Sequence, residues 1–144
     1  MKHLFMDRTI VLIKPDGVQK GLIGEVISRF EKAGFKLRAL KMVFLKDELL
    51  NVWYAHHKDK PFFPDFCRFM QETPVVVMLW EGEGIIVQAR ELAGPTDSQK
   101  APKGTIRGDF GENIQRNVVH VSDSEEAAKK EEGLIFPPAE IFNY

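Results

Sequence analysis

Val75, Val76, Val77, Met78, Leu79 and Trp80 form an unbroken apolar run. Successive side chains of a strand point to opposite faces, so an extended segment of this composition is apolar on both sides. The run is also far short of the about 20 residues that a membrane-crossing helix needs. It predicts a strand in the middle of a sheet with cover on both faces, and the rest of the chain must supply that sheet and that cover.

Residues 8–14 read as a second buried strand, through Ile10, Val11, Leu12 and Ile13, ending at Lys14 and turning at Pro15, Asp16 and Gly17. Ile23, Val26, Ile27 and Phe30 then recur at helical spacing, with Gly34 as the residue after the helix end. Phe35, Leu37 and Ala39 alternate with Lys36, Arg38 and Leu40 and run on through Met42, Val43 and Phe44, predicting a strand with its apolar face inward. Asp47 is expected to cap a helix carrying Leu50, Trp53, Tyr54 and His57, and Asp65 to start another through Phe66, Phe69 and Met70. Beyond the apolar run, Gly82 is expected to turn the chain, and Ile85, Ile86, Ala89 and Leu92 mark a helix. Residues 94–105 read as a long surface loop, residues 117–120 as the last strand, and the last helix as starting near Asp123.

This order predicts an α+β fold, a ferredoxin-like sandwich in which a four-stranded antiparallel sheet is covered by helices. Residues 1–144 read as one domain, with residues 137–144 a C-terminal extension. Its Ile141, Phe142 and Tyr144 must pack on their own domain or on a neighbouring subunit.

With 44% hydrophobic and 28% charged residues and a net charge of -1, the chain carries no electrostatic footprint for nucleic acid or an anionic membrane. Cys67 is the only cysteine, which excludes an intrachain disulfide or a Cys-cluster metal site and fits the cytoplasm. The start of the chain meets Asp7 and Arg8 too early for the apolar core of a signal peptide.

The chemistry centres on residues 117–124. There His120 follows the β-branched Val118 and Val119 and precedes Ser122, Asp123 and Ser124, which suit a helix N-cap, with Glu125 and Glu126 suiting the first turn. A side chain at such a strand-to-helix junction lies beside free backbone N–H groups, a setting for phosphate. The chain has neither a Walker-type nor a Rossmann glycine loop, so any phosphate must be held by side chains. Lys14, Arg90 and Arg107 are the candidates, although a single cation of this kind is more often a solvated surface residue.

Four separated stretches together resemble, in order, the motifs of nucleoside diphosphate kinases over nearly the whole chain. They are residues 9–18 around Lys14; Tyr54 to His57 followed by Lys60, Pro61, Phe62 and Phe63; residues 104–110 around Arg107; and residues 117–124 around His120. The resemblance implies ping-pong transfer of the γ-phosphate of ATP, or another nucleoside triphosphate, to a nucleoside diphosphate through a phosphohistidine at His120. It implies that Glu131 orients the His120 ring, with Glu132 as the solvated alternative. Lys14, Arg90, Thr96, Arg107 and Asn117 would contact phosphate and sugar, Tyr54 would lie near the reacting phosphate, and Phe62 would stack on the base. Mg²⁺ would arrive on the nucleotide phosphates without a protein cage, and the assembly would be a homo-oligomer, a tetramer or a hexamer. Val121 stands where the family usually has glycine. Either the backbone there never needs φ > 0, or the valine crowds the phosphate. Phe66, where the family often has leucine, is expected to thicken the base clamp. A regulatory role for the nucleotide site and phosphate donation to another protein are the competing functions.

Overall fold

The computed structural model describes residues 6–144, so most of the N-terminal segment weighed as a signal peptide lies outside the described residues. The apolar run lies within β3 (Val75–Glu83), which sits between β1 (Met6–Ile13) and β2 (Lys36–Val43), while β4 (Val119–Val121) flanks β1 on the far side. All pairings are antiparallel, in the order β2-β3-β1-β4. This is the four-stranded ferredoxin-like arrangement that the sequence predicts.

Alternation then divides the sheet into two apolar layers. Val11, Ile13, Met78, Trp80, Val119 and Val121 point to one face, covered by α2 (Ile23–Lys32) through Val26 and Phe30 and by α5 (Ile85–Ala93) through Ile85 and Ala89. Ile10, Leu12, Val77 and Leu79 point to the other face. That face is covered by α3 (Asp47–Trp53), α4 (Phe63–Met70) and α7 (Glu125–Ile135) through Leu50, Trp53, Phe69, Met70 and Ile135. His120 lies between Val119 and Val121 and opposite Leu12, so it projects into the second layer.

Several local expectations are corrected. Pro15, Asp16 and Gly17 do not form a simple turn; they begin the short helix α1 (Pro15–Gln19), with proline in its first turn, where a missing N–H costs nothing. Asp47 is the first helical residue of α3; the cap position belongs to Lys46, whose side chain makes no capping bond. The helix expected from Asp65 starts earlier, at Phe63, because Pro64 is tolerated in a first turn. Gly82 remains inside β3, where it gives room to the Phe35 ring, and the chain turns at Gly84, whose φ of 63° favours glycine.

The second strand departs most. A register shift between Leu37 and Ala39 turns the following residues over, so Phe35 and Leu37 join the first layer while Ala39, Val43 and Leu45 join the second. Leu40, Met42 and Phe44 consequently face solvent, 48–59% exposed, along the sheet edge. The last strand begins two residues later than expected, and Ser124, not Ser122 or Asp123, caps α7 by accepting from Ala127 N at 3.0 Å. In the C-terminal extension Ile141 packs on the second layer and Phe142 N donates to Arg38 O at 2.9 Å, whereas the Phe142 and Tyr144 rings are exposed.

Candidate active site

His120 meets Glu131 because both project into the second layer, one from β4 and the other from the buried side of α7. His120 Nε2 lies 2.8 Å from Glu131 Oε2. Glu131 also accepts from Ser122 Oγ at Oε1 (2.6 Å) and from Trp53 Nε1 at Oε2 (3.0 Å). Burial works to raise the Glu131 carboxyl, but the hydrogen bond and charge of His120, with the bonds from Ser122 and Trp53, hold it below the usual carboxylate range. An ionised carboxylate only accepts, so Nε2 carries a ring proton, and in the neutral ring Nδ1 is then the nitrogen that keeps its lone pair. Glu132, the neighbouring alternative, turns away and accepts from Arg8 Nη1 at 3.4 Å.

A cleft of about 1270 Å³ opens in front of this pair. Lys14, at the end of β1, is 8% exposed and donates from Nζ to Asn117 Oδ1 at 2.8 Å. Burial, reinforced by Arg107 and opposed by Asp16, lowers its ammonium pKa to about 8. Arg107, on α6 (Ile106–Phe110), donates to the carbonyls of Gly94 and Val119, each at 2.7 Å, and of Asn117 at 3.4 Å. Burial brings its pKa down to about 10, with Asp123 opposing and Arg90 adding to the effect. Arg107 thus braces the loop ends as well as placing positive charge in the cleft. Arg90 is the exposed cation of α5, reaching Asp123 O at 3.4 Å.

Thr96 and Asn117 line the same cleft and are joined by Asn117 Nδ2 donating to Thr96 O at 2.9 Å. Tyr54 lies there too; burial, then the charges of Glu131 and Asp123, push its phenol up, so it stays neutral. Phe62 is 48% exposed at the mouth, while Phe63 is buried, so Phe62 is not a core residue. Phe66 lines the cleft as well, and its ring packs edge-on against Tyr54, centroids 4.7 Å apart. Every side chain named as a candidate from the sequence therefore lines one cleft. Among the described residues, no group of three or more His, Cys, Asp or Glu side chains could hold a metal ion.

The backbone leading to His120 is strained. Val118 has a φ of 74°, and Val119 N donates to Asn117 O at 2.8 Å, closing a γ-turn. A β-branched residue in this region costs about 1–3 kcal/mol, so its surroundings must hold it there. Asp16 Oδ2 accepts from Val118 N at 3.0 Å, and Lys14 N donates to Val118 O at 2.8 Å. Val121, by contrast, is ordinary strand backbone, and its side chain is buried in the layer opposite His120. The structure thus favours the reading in which this position has no need of glycine.

Sequence reasoning passed over Trp53, Ser122, Asp16 and Ile114. Ser122 is fully buried, taking the Ile10 N–H at 3.0 Å and donating to Glu131. Ile114 is 64% exposed and lines the cleft with Phe62. Asp16 and Ser122 lie inside the matching stretches at residues 9–18 and 117–124, and Trp53 stands beside Tyr54 at the end of a helix, whereas Ile114 carried no signal.

The sequence model of the nucleoside diphosphate kinase family matches residues 7–141. The nucleoside diphosphate kinase of Carboxydothermus hydrogenoformans is 50% identical over 139 residues, covering 96% of this chain and 93% of the relative. That of Anaeromyxobacter sp. is 52% identical over 138 residues, covering 96% and 94%. Among solved structures, a halophilic nucleoside diphosphate kinase from Halobacterium salinarum in complex with CDP superposes with a TM-score of 0.93 at 42% identity, covering 96% of this chain and 93% of the other. The chain belongs to the nucleoside diphosphate kinase family and is a phosphotransferase acting between nucleotides.

Proposed function

We propose that His120 is the nucleophile of this transfer and that it reacts through Nδ1. The observation that carries the reading is the 2.8 Å bond between His120 Nε2 and Glu131, made beside a cleft lined by Lys14, Arg90 and Arg107. Nδ1 attacks the γ-phosphorus of a nucleoside triphosphate; a P–N bond forms, and the bond from phosphorus to the β,γ-bridging oxygen breaks. The electron pair leaves on the nucleoside diphosphate. Nε2 keeps its proton, so positive charge grows on the ring, where the Glu131 carboxylate stabilises it. A second nucleoside diphosphate then takes the group back by the reverse displacement.

Phosphoryl transfer depends on positioning and charge neutralisation more than on further covalent chemistry. Lys14, Arg90 and Arg107 would bind phosphate oxygens, Asn117 and Thr96 the phosphate and sugar, and the neutral Tyr54 phenol would lie near the reacting group. Phe62, which lines the cleft together with Ile114, would take the base. An aromatic face stacks on any base, which fits a substrate range not limited to one nucleotide. Mg²⁺ would neutralise β- and γ-oxygen charge; the donors lining the cleft suit an ion delivered by the nucleotide and not a resident one.

The exposed Leu40, Met42 and Phe44 along the open β2 edge support a homo-oligomer, either tetramer or hexamer, because such an edge is otherwise a liability in water. No helix of the described residues is long and apolar enough to cross a membrane. A reducing compartment rich in nucleotides, the cytoplasm, suits the single free Cys67.

Incubation with γ-labelled ATP tests the reading. Acid-labile label that GDP discharges, and that His120→Ala abolishes, is the expected result. Absence of label would overturn the reading, and label that resists nucleoside diphosphates but passes to another protein would favour a protein phosphodonor.

A further inference from the structure

Trp53 has no part in the mechanism above, yet it touches several of its members. Its indole Nε1 lies 3.0 Å from Glu131 Oε2, the same oxygen that meets His120 Nε2. Its ring meets the His120 ring edge-on, centroids 5.9 Å apart at 86°, and lies nearly parallel to the Tyr54 ring at 5.9 Å. The side chain is buried at the end of α3.

An indole N–H is a donor and never an acceptor. Ser122 is constrained in the same sense, since its hydroxyl oxygen takes the Ile10 N–H at 3.0 Å and its proton is left for Glu131 Oε1 at 2.6 Å. Glu131 is therefore met on both oxygens by groups that point hydrogens at it. A protonated carboxyl would set one hydrogen against another, and the opposite imidazole tautomer would set a nitrogen lone pair against the carboxylate. The arrangement without conflict has ionised Glu131, Nε2–H on His120 and a free Nδ1.

We propose that Trp53 is a positioning residue for phosphoryl transfer: its indole N–H pins the Glu131 carboxylate, which in turn fixes the tautomer and orientation of His120. The inference rests on the reading of His120 as nucleophile and Glu131 as its orienting partner. A purely apolar side chain would fill the space but leave Glu131 with one donor fewer. It would also remove the hydrogen bond by which α3 holds the carboxylate.

The test is Trp53→Phe, which keeps an aromatic ring and removes the N–H. Single-turnover labelling of His120 by ATP is expected to slow by about 10-fold, the scale of losing one hydrogen bond to a charged group, with the apparent ATP affinity changed by less than about 3-fold. The acidic limb of the labelling rate is expected to move to higher pH, because Glu131 has lost a bond that favours its ionised form. In a Glu131→Gln background the same substitution is expected to have no further effect, whereas a role limited to packing would lower the rate equally in both backgrounds.

Unlabelled wild-type protein would mean that the underlying reading of the site is wrong. Normal wild-type labelling with an unchanged rate and pH limb in Trp53→Phe, or an equal loss in both backgrounds, would overturn the role of Trp53 alone. If Trp53→Phe fails to fold, the indole N–H resonance of the wild-type chain decides. The chain has two tryptophans, and the buried Trp80 Nε1 has no hydrogen-bond partner among the described residues, so the hydrogen-bonded signal belongs to Trp53. That signal is expected to move when ATP phosphorylates His120, and a signal that stays fixed would contradict the proposal.

Discussion

The two faces of the sheet are built from the same strands and do different work. On the first, Val11, Ile13, Met78, Trp80, Val119 and Val121 meet α2 and α5 in a hydrocarbon layer. On the second, Ile10, Leu12, Val77 and Leu79 meet α3, α4 and α7, and His120, Ser122 and Glu131 stand at the β4 edge of that layer. A single residue of β4 separates the two environments, since its neighbours face the other way. Burying a carboxylate is costly unless it is paired. The second face can carry one because Trp53, Ser122 and His120 all direct hydrogens at Glu131.

This contrast can be broken from either side. On the polar face, His120→Ala removes the proposed nucleophile and is expected to lower kcat by about 10⁴-fold or more, measured by a coupled nucleotide assay, with the fold intact by circular dichroism. Glu131→Gln is expected to lower kcat by roughly 100-fold or more, since the amide can present a donor to Nε2 and favour the wrong tautomer. On the hydrocarbon face, Met78→Ala is expected to cost about 2–5 kcal/mol in a denaturant titration, while the folded fraction keeps its kcat.

The pH dependence sharpens the comparison. Burial lowers Lys14 to about 8, so in the free enzyme its charge is present below that pH and lost above it. Nucleotide kcat/KM should accordingly fall as pH rises through about 8. Stability responds in the opposite sense. The unfolded chain, with its lysine near the ordinary value of 10.5, binds the proton more readily between about 8 and 10.5, so this group adds stability as pH rises through that window. The smallest effect is expected for Val121→Gly. Its side chain lies in the hydrocarbon layer, so kcat/KM should stay within about 3-fold while stability falls by about 1 kcal/mol or more. A large gain in kcat/KM would mean that the valine does crowd the phosphate.

The parts of the molecule legible in the sequence were those fixed by local pattern. The unbroken run at residues 75–80 announced the central strand, and the apolar stretch from Ile10 to Ile13 announced its neighbour with Lys14 at the end. The strand spanning residues 36–43 misled because a single bulge inverts which side chains face inward, and nothing in the composition marks it. Helix starts slipped by a few residues where Asp47 and Asp65 looked like caps but sit in first turns. In the site, His120, Lys14, Arg90 and Arg107 were candidates from residue type and position, and the family resemblance, which matches residue types at fixed places, added Glu131, Thr96, Asn117, Tyr54 and Phe62. The contacts that organise them were not legible. Trp53 reaches Glu131 across 78 positions and Asp16 reaches Val118 across 102, and no local pattern encodes either. The positive φ of Val118 was equally hidden, because a valine is the last residue expected to adopt it.

The central claim is that Glu131 holds the proton side of the His120 ring and leaves Nδ1 free. Phosphorylation by ATP followed by denaturation at alkaline pH and ³¹P NMR reads which ring nitrogen carries the phosphate. The account predicts phosphate on Nδ1 of His120, discharged when GDP is added before denaturation. Phosphate on Nε2, or on a residue other than His120, would contradict it.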